Sequence, residues 1–192
     1  MIACSGLGKR YGDRWLFRNV EFQVTTGECL VVVGRNGSGK STLLKILAGL
    51  LPPTEGSRRV VGDPRTSLGY AALDQPVYPV LTVLEHLQLA ADLRGVECDN
   101  KQLLEEVELG YAASTAGGNL SSGMRARLKL AMAIQCPVSV LLLDEPTAGL
   151  DATGQTMFKR VVDSRRATTA LILATNDRRE RSLATHEINL GL

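Results

Sequence analysis

The stretch "GRNGSGKST" (residues 34–42) constrains the fold of this chain more than any other part of the sequence. It lies between the apolar run "CLVVV" (29–33) and the helix-like "LLKILAGL" (43–50). It fits the pattern G-x-x-x-x-G-K-[ST], in which a glycine-rich turn joins a buried strand to a helix. The glycines let backbone N–H groups turn towards phosphate oxygens, and the helix adds its positive end. The stretch therefore predicts a phosphate-binding loop in an α/β fold.

The residues of this loop are candidates for binding a nucleoside triphosphate. Gly37 and Gly39 allow the backbone to curl around the phosphates. Lys40 is expected to neutralise oxygens of the β- and γ-phosphates, and the hydroxyl of Ser41 is expected to bind Mg²⁺. The candidate nucleotide-binding residues of the loop are Gly34, Arg35, Asn36, Gly37, Ser38, Gly39, Lys40, Ser41 and Thr42.

A second apolar run, "VSVLLLD" (138–144), leads into two adjacent carboxylates, Asp144 and Glu145. Asp144 can hold the metal ion, directly or through water, and Glu145 can orient or deprotonate an attacking water. The alternative is a pair of solvated carboxylates at the end of a strand. The apolar strand before them favours the functional interpretation. This pair therefore implies hydrolysis of the nucleotide.

The rest of the sequence alternates between strand and helix patterns. The continuous apolar runs at 29–33 and 138–144 are typical of parallel strands that are buried on both faces. Partial alternation of apolar residues in "WLFRNVEFQVTTGE" indicates half-buried antiparallel strands. Helices are predicted at 40–50, 82–95 and 122–135.

These elements predict an α/β fold with a P-loop NTPase core, an antiparallel β subdomain and an inserted α-helical subdomain. A chain of 192 residues, of which 44% are hydrophobic, can bury one large core. We therefore expect a single nucleotide-binding domain over residues 1–192. Its core is expected at about 1–75 and 137–192, and its helical lobe at about 76–136.

The charge and the cysteines of the chain indicate no further ligand. The net charge of +2 is far from the basic excess of a dedicated nucleic-acid-binding protein. The four cysteines include no C-x-x-C pair, so we expect free thiols in a reducing cytosol. The sequence shows neither an apolar run that could span a bilayer nor a signal peptide. Any membrane role is therefore expected to depend on a partner.

The segment "LSSGMRARLKLAMA", which begins at Leu120, separates this chain from kinases and GTPases. With it, the chain resembles the ATP-binding cassette subunits of ABC transporters, whose usual signature is "LSGGQ". The resemblance extends to "GLLPPTEG", "LDEPTAGLD" and "THEINL", and it covers nearly the whole chain. It implies that the nucleotide is ATP, that the metal ion is Mg²⁺, and that ATP is hydrolysed to ADP and phosphate.

The resemblance also implies roles for residues outside the phosphate loop. It places Tyr11 where an aromatic ring stacks on adenine, whereas we expect the nearby Trp15 to pack within the protein. It places Asp151 where an aspartate contacts the opposite subunit. Two copies are expected to pair head to tail as a homodimer, with the signature turn of one on the γ-phosphate held by the other. The expected signature residues are Leu120, Ser121, Ser122 and Gly123.

Three parts of the sequence depart from the family pattern. Ser122 and Met124 replace the second glycine and the glutamine of the signature, for which we expect a modest cost. An ungapped alignment puts Leu73 at the position of the Q-loop glutamine, and Gln75 either replaces that glutamine or is a solvated loop residue. Asn176, in "LILATND", takes the place of the switch histidine. It can donate to a phosphate oxygen but cannot carry a positive charge.

The resemblance implies a subunit that powers a separate permease made of integral membrane chains. We expect it to be cytoplasmic, peripheral on the inner face of the cell membrane, and without a nucleic acid partner. The short length, "SSGMRARLKLA" and "ATND" look most like haem-exporter subunits of cytochrome c maturation. Two alternatives stay open: a soluble ABC ATPase that acts on ribosomes or DNA, and a regulatory cassette that binds ATP and barely hydrolyses it.

Overall fold

Two β-sheets organise the chain, whose residues 1–190 are described by a computed structural model. The strands are β1 (Ile2–Tyr11), β2 (Arg14–Val24), β3 (Cys29–Val33), β4 (Glu55–Val60), β5 (Leu68–Ala72), β6 (Val140–Asp144), β7 (Ala170–Ala174) and β8 (His186–Asn189). One sheet is antiparallel with the order β2-β1-β4, and the other is parallel with the order β5-β6-β7-β3-β8. The predicted α/β fold with an antiparallel subdomain is confirmed.

Helices join the strands and cover the parallel sheet. They are α1 (Lys40–Ala48), α2 (Pro64–Ser67), α3 (Val83–Arg94), α4 (Asn100–Glu106), α5 (Ser122–Ile134), α6 (Ala152–Arg165) and α7 (Arg178–Arg181), with 3₁₀ turns at Gly110–Ala112 and Gly117–Asn119. The predicted capping box of α3 is present, because Thr82 and Glu85 each accept a hydrogen bond from the other's backbone N–H. Within residues 1–190, every helix is too short or too polar to cross a membrane.

The strand order brings three loops together at one edge of the parallel sheet. β7 lies between β3 and β6, so that Ala174 pairs with Val32 on one side and with Asp144 on the other. Because the three strands are parallel, the chain leaves all of them at the same edge. The phosphate loop, the carboxylate pair and the segment that contains Asn176 follow these three strands and meet there.

The antiparallel sheet covers the phosphate loop. A side chain at Gly39 would meet side-chain carbons of Leu16 and Phe17, both on β2, at 2.8 Å. The φ angle of Gly39 is also positive, +101°, in the left-handed region. Both the close approach of β2 and this backbone conformation require glycine at the last residue before α1.

Burial on both faces explains the continuous apolar runs of the central strands. Every residue of β3, β6 and β7 is buried. Along β3, Val31 and Val33 belong to a hydrophobic cluster with α3, α5 and α6, whereas Leu30 and Val32 belong to a second cluster with α1 and the antiparallel sheet. The uniform hydrophobicity of "CLVVV" is therefore the pattern expected for a strand between two layers.

Some elements differ from the sequence-based expectation. β5 and α4 have no clear pattern: "LGYAA" is rich in small residues, which are poor strand formers, and α4 is too short to show helical periodicity. The predicted helix at 40–50 ends at Ala48, because Gly49 takes up a left-handed C-cap with φ of 80°. α3, α4 and α5 lie within the predicted lobe (76–136), whose division from the core stays a prediction.

Gly69 in β5 provides a test of how closely α5 packs on the parallel sheet. A Cβ atom at this position would lie 2.1 Å from the carbonyl oxygen of Ala133, a backbone atom of α5. Gly69→Ala is expected to lower the free energy of unfolding by about 1–3 kcal/mol, the usual cost of overpacking. Urea denaturation of the purified chain measures this change.

Gly118→Ala is the matched control, since its Cβ atom would meet its nearest neighbour at 3.4 Å, an ordinary contact. The control is expected to unfold close to the wild type. Equal destabilisation by the two substitutions would contradict the packing of α5 against β5.

Candidate functional site

The phosphate loop surrounds an open cavity of about 490 Å³. Gly37 and Gly39 have positive φ angles of 81° and 101°, which only glycine adopts without strain. Gly39 caps α1 without any side-chain hydrogen bond, so N–H groups of the first turn stay available for an anion. The cavity is lined by Leu16, Asn36, Gly37, Gly39, Lys40, Ser41, Thr42 and Glu145.

Lys40 is a buried cation at the base of this cavity. Its side chain is 8% exposed, and its Nζ atom donates a 2.8 Å hydrogen bond to the carbonyl oxygen of Gly34. The same Nζ atom lies 4.0 Å from Oε1 of Glu145. The loop thus bends back over its own lysine and directs the ammonium group towards the carboxylate that follows β6.

Asp144 is the last residue of β6 and is 5% exposed. Burial raises the pKa of its carboxyl group above the ordinary value, and the nearby Ser41 hydroxyl opposes this shift. Its Oδ1 atom is buried without a hydrogen-bond partner among the described residues. A buried acceptor without a partner, beside a hydroxyl group, fits a divalent cation that is held by oxygen ligands.

Glu145 takes up a strained backbone conformation at the mouth of the cavity. Its φ angle is 49°, and its backbone N–H donates to the carbonyl oxygen of Ala174 at 2.9 Å. Burial raises the pKa of its carboxyl group, Lys40 opposes that change, and the carboxylates of Glu180, Asp144 and Asp177 raise it further. The conformation turns the side chain away from the course of β6 and into the cavity.

Asn176 follows β7 and contacts the phosphate loop. Its Oδ1 atom accepts a 3.4 Å hydrogen bond from the backbone N–H of Gly34. Because the oxygen is used in this bond, the amide NH₂ group is the part of the side chain left to donate to a ligand. The structure therefore brings Asn176 to the loop across the 142 residues that separate it from Gly34.

Glu180 is a site residue that the sequence motifs do not reveal. It is 3% exposed, and its Oε1 atom accepts hydrogen bonds from the backbone N–H of Thr147, at 3.0 Å, and from the Thr147 hydroxyl. Thr147 lies two residues after Glu145. The buried carboxylate thus fixes the turn that carries Glu145. The only sequence signal is its position four residues after Asn176, in α7.

The signature turn lies beside the loop that carries Asp151, and outside the phosphate cavity. Ser121 caps α5, with its Oγ atom accepting from the N–H of Met124 at 3.2 Å, and Leu120 is buried. A side chain at Gly123 would lie 3.3 Å from the carbonyl oxygen of Gly149. None of residues 120–123 lines the cavity around the phosphate loop.

Asp151 caps α6 and remains open to solvent. Its Oδ1 atom accepts from the N–H of Gly154 at 2.8 Å and lies 3.9 Å from the Arg127 guanidinium of α5. Its side chain is 77% exposed. Together with the exposed Ser121 and Ser122 it forms one polar surface, and none of the three lines the phosphate cavity.

The predicted adenine-stacking residue lies at the end of β1. The Tyr11 ring is 56% exposed, with the Lys9 Nζ atom 5.2 Å from its centroid, and it does not line the cavity. Leu16 does line it, which the sequence did not indicate. The guanidinium groups of Arg10 and Arg18 lie over the Trp15 ring, with their Cζ atoms 5.5 and 4.5 Å from its centroid.

The two candidate Q-loop residues lie in different surroundings. Leu73 accepts a hydrogen bond at its carbonyl oxygen from Lys129, and it lines a small pocket with Asp144 and Glu145. Gln75 instead lines a groove beside α3, where its Oε1 atom is buried without a hydrogen-bond partner among the described residues. Position 73 is therefore the one next to the carboxylates.

Comparison with known proteins identifies relatives along nearly the whole chain. Residues 17–148 match the family model described as ABC transporter. The cytochrome c biogenesis ATP-binding export protein CcmA of Rhodopseudomonas palustris (strain HaA2) is 36% identical over 195 residues, covering 97% of each chain. CcmA of Nitrosococcus oceani is 40% identical over 158 residues, covering 78% of this chain and 73% of that protein.

A solved ATP-binding cassette, a dimer in a post-hydrolysis state bound to ADP and Pi, is 25% identical with a TM-score of 0.85. The match covers 98% of this chain and 94% of that one. Because the family model spans more than half of the sequence and the CcmA relatives exceed 30% identity over most of their length, the chain belongs to the ABC transporter family, as an ATP-binding and ATP-hydrolysing subunit.

Proposed function

We propose that this subunit binds ATP with Mg²⁺ at the phosphate loop, hydrolyses it, and powers a permease made of separate membrane chains. The observation that carries the proposal is the meeting of Lys40, Asp144, Glu145 and Asn176 at one sheet edge. A buried cation, two carboxylates and an amide donor at one sheet edge are groups that suit phosphoryl transfer to water.

The phosphate loop would hold the triphosphate mainly through its backbone. The N–H groups of the loop and of the first turn of α1 donate to phosphate oxygens, and the helix dipole adds to the attraction. Lys40 would exchange the Gly34 carbonyl oxygen for oxygens of the β- and γ-phosphates. Loss of that 2.8 Å bond costs little, because a charge-assisted contact to phosphate replaces it.

Asp144 and Ser41 are the residues that would hold Mg²⁺. Their oxygens would supply two of the oxygen ligands that this cation prefers. When bound, Mg²⁺ neutralises charge on the phosphates. The unpartnered Oδ1 atom of Asp144 supports this assignment.

Glu145 would orient and deprotonate the attacking water. Its side chain lines the cavity beside Gly39 and Lys40, and the clamp between Glu180 and Thr147 holds the turn that carries it. A raised pKa makes a carboxylate a better general base as long as it stays ionised at the working pH.

Glu145→Gln tests this role. The substitution keeps the size of the side chain and removes its basicity, so phosphate release is expected to fall about 10²–10⁴-fold while ATP affinity is kept. A phosphate-release assay and equilibrium ATP binding measure the two quantities. Hydrolysis by the variant at the wild-type rate would show that another group activates water. Slow release by the wild type itself would favour the regulatory cassette.

Asn176 would contact the γ-phosphate through its amide NH₂ group. Asn176→His introduces a side chain that can carry a positive charge, so we expect steady-state ATP hydrolysis to rise, roughly tenfold or more. Asn176→Ala is the control that removes the donor, and it is expected to slow hydrolysis. An unchanged rate in the histidine variant would contradict a role for Asn176 in setting turnover.

A second copy of this chain would complete each nucleotide site. The signature turn and Asp151 share one exposed face, and neither lines the phosphate cavity of its own chain. Head-to-tail pairing brings this face of one copy to the γ-phosphate held by the other. The dimeric state of the solved cassette supports this arrangement. Hydrolysis would then remove the phosphate that joins the two copies.

A groove beside α3 is the proposed docking site for a helix of the permease. Its volume is about 550 Å³, and its lining includes the exposed side chains of Leu50, Tyr78, Leu89 and Leu93. An apolar groove suits an amphipathic helix. Similarity to the CcmA proteins supports export for cytochrome c biogenesis, with haem as the proposed cargo. The chain would then lie peripherally on the cytoplasmic face of the membrane.

Affinity capture tests the permease partner. Glu145→Gln protein with ATP, captured from detergent-solubilised native membranes, is expected to retain integral membrane subunits that mass spectrometry identifies. Leu93→Asp places a charge in the groove and is expected to lose them. Tyr111→Asp, at an exposed lobe residue outside the groove, is the matched control and should retain them. Ribosomal or DNA-repair proteins without membrane subunits would favour a soluble ABC ATPase.

A further inference from the structure

Lys9 lies between a carbonyl oxygen and an aromatic ring near the end of β1. Its Nζ atom donates a 2.9 Å hydrogen bond to the carbonyl oxygen of Pro52, and it lies 5.2 Å from the centroid of the Tyr11 ring. Lys9 and Tyr11 are two residues apart on one strand, so their side chains leave it on the same side. The ammonium group of Lys9 thus contacts both the loop between α1 and β4 and the ring that is expected to stack on adenine.

We propose that Lys9 is a positioning residue for the nucleotide base: through its bond to Pro52 it holds the Tyr11 ring in the orientation that receives adenine. The inference rests on the proposed function, in which ATP binds at the phosphate loop, and on the expected stacking of adenine on Tyr11. Tyr11 lies outside the phosphate cavity, as a group that receives the base rather than the phosphates should. Lys9 acts through this ring and not on the phosphates.

The position of Tyr11 in the fold explains why its ring needs support. Tyr11 is the last residue of β1, directly before Gly12 in the turn to β2, and it is 56% exposed. An exposed side chain beside a turn has few neighbours that fix its rotamer, so its ordering by a ligand costs conformational entropy. A cation within about 6 Å of a ring centroid is attracted to the face of the ring. Lys9 therefore orders the ring before the nucleotide binds.

The two aromatic rings of the β1–β2 hairpin have different cationic neighbours. The guanidinium groups of Arg10 and Arg18 lie over Trp15, whereas the ammonium group of Lys9 lies over Tyr11. One cation over an exposed ring leaves the opposite face of that ring for a base, which can stack on it in an offset arrangement. This difference supports Tyr11, and not Trp15, as the ring that receives adenine.

The loop between α1 and β4 holds the end of β1 at three points. The backbone N–H of Thr54 donates to the carbonyl oxygen of Gly8 at 2.8 Å, and the backbone N–H of Arg10 donates to the Thr54 hydroxyl at 3.0 Å. The third contact is that of Lys9 with Pro52. Because α1 begins in the phosphate loop and leads into this loop, the contacts set the position of the Tyr11 ring relative to the triphosphate.

Binding of ATP and of inorganic tripolyphosphate to the full chain, measured by isothermal titration calorimetry with Mg²⁺, tests this role. Tripolyphosphate has three linked phosphates but no base. Lys9→Met keeps the length of the side chain and removes its charge, so ATP binding is expected to weaken about threefold to tenfold while tripolyphosphate binding stays unchanged. Lys9→Arg keeps a cation for the ring and a donor for the Pro52 carbonyl oxygen, and it should bind ATP nearly as the wild type does.

Arg14→Met is the matched control, because Arg14 is an exposed cation of the same hairpin and pairs with Tyr11 along the backbone. It is expected to bind both ligands as the wild type does. A double-mutant cycle then tests whether Lys9 acts through the ring. Tyr11→Leu should weaken ATP binding about fivefold or more, and Lys9→Met should have no further effect in that background.

Three results would overturn the role of Lys9. They are unchanged ATP binding by Lys9→Met, an equal loss of affinity for ATP and tripolyphosphate, and additive losses of ATP affinity in the double variant. An equal loss for the two ligands would show that Lys9 acts on the phosphates or on the fold. A wild type that binds neither ligand would instead overturn the proposed function, and this inference with it.

Discussion

The parallel pairing of β7 with both β3 and β6 is the constraint on which the rest of the site depends. It places Val32, Ala174 and Asp144 in register, so three loops that are distant in sequence leave the sheet side by side. The two contacts that close the site, from Gly34 to Asn176 and from Lys40 to Glu145, follow from this register. A different strand order would separate the phosphate loop from the carboxylates.

Several buried charged groups lie at this edge, and contacts with neighbouring polar groups offset the cost of burying them. Lys40 lies between the Gly34 carbonyl oxygen and Glu145, and the Glu180 carboxylate is held by Thr147. Burial raises the pKa values of Asp144 and Glu145, so both carboxyl groups favour a nearby cation. The strain at Glu145, with φ of 49°, directs its side chain into the cavity.

Local sequence patterns predicted the parts of the fold that are encoded locally. The glycine-rich loop, the capping box of α3 and the two-sided burial of β3 each have a short-range pattern. Contacts between residues that are far apart in the sequence could not be predicted from these local patterns. Glu180 meets Thr147 across 33 residues, and Lys129 meets Leu73 across 56.

The structure also shows which of Leu73 and Gln75 lies near the carboxylates, a question that the sequence left open. The sequence left open whether Gln75 completes the metal site, because an alignment shifted by two residues would place Gln75 at the Q-loop position. In the structure, Leu73 borders Asp144 and Glu145, and Gln75 lies in the groove beside α3. The course of the backbone after β5 places Leu73 beside the carboxylates, and lysines of α1 and α5 contact this segment.

We propose that a single chain holds two incomplete halves of the nucleotide site, which a second copy completes. Mixing two inactive variants tests it most directly. Lys40→Ala lacks the phosphate-loop cation but keeps the signature face; Ser122→Asp has an intact phosphate loop but places a negative charge on that face. If residues of two copies form each site, half of the dimers in an equal mixture contain one copy of each variant, and each of these has one intact site of two. The mixture should then regain up to about a quarter of the wild-type hydrolysis rate. A mixture as inactive as either variant alone would contradict a site shared between two chains.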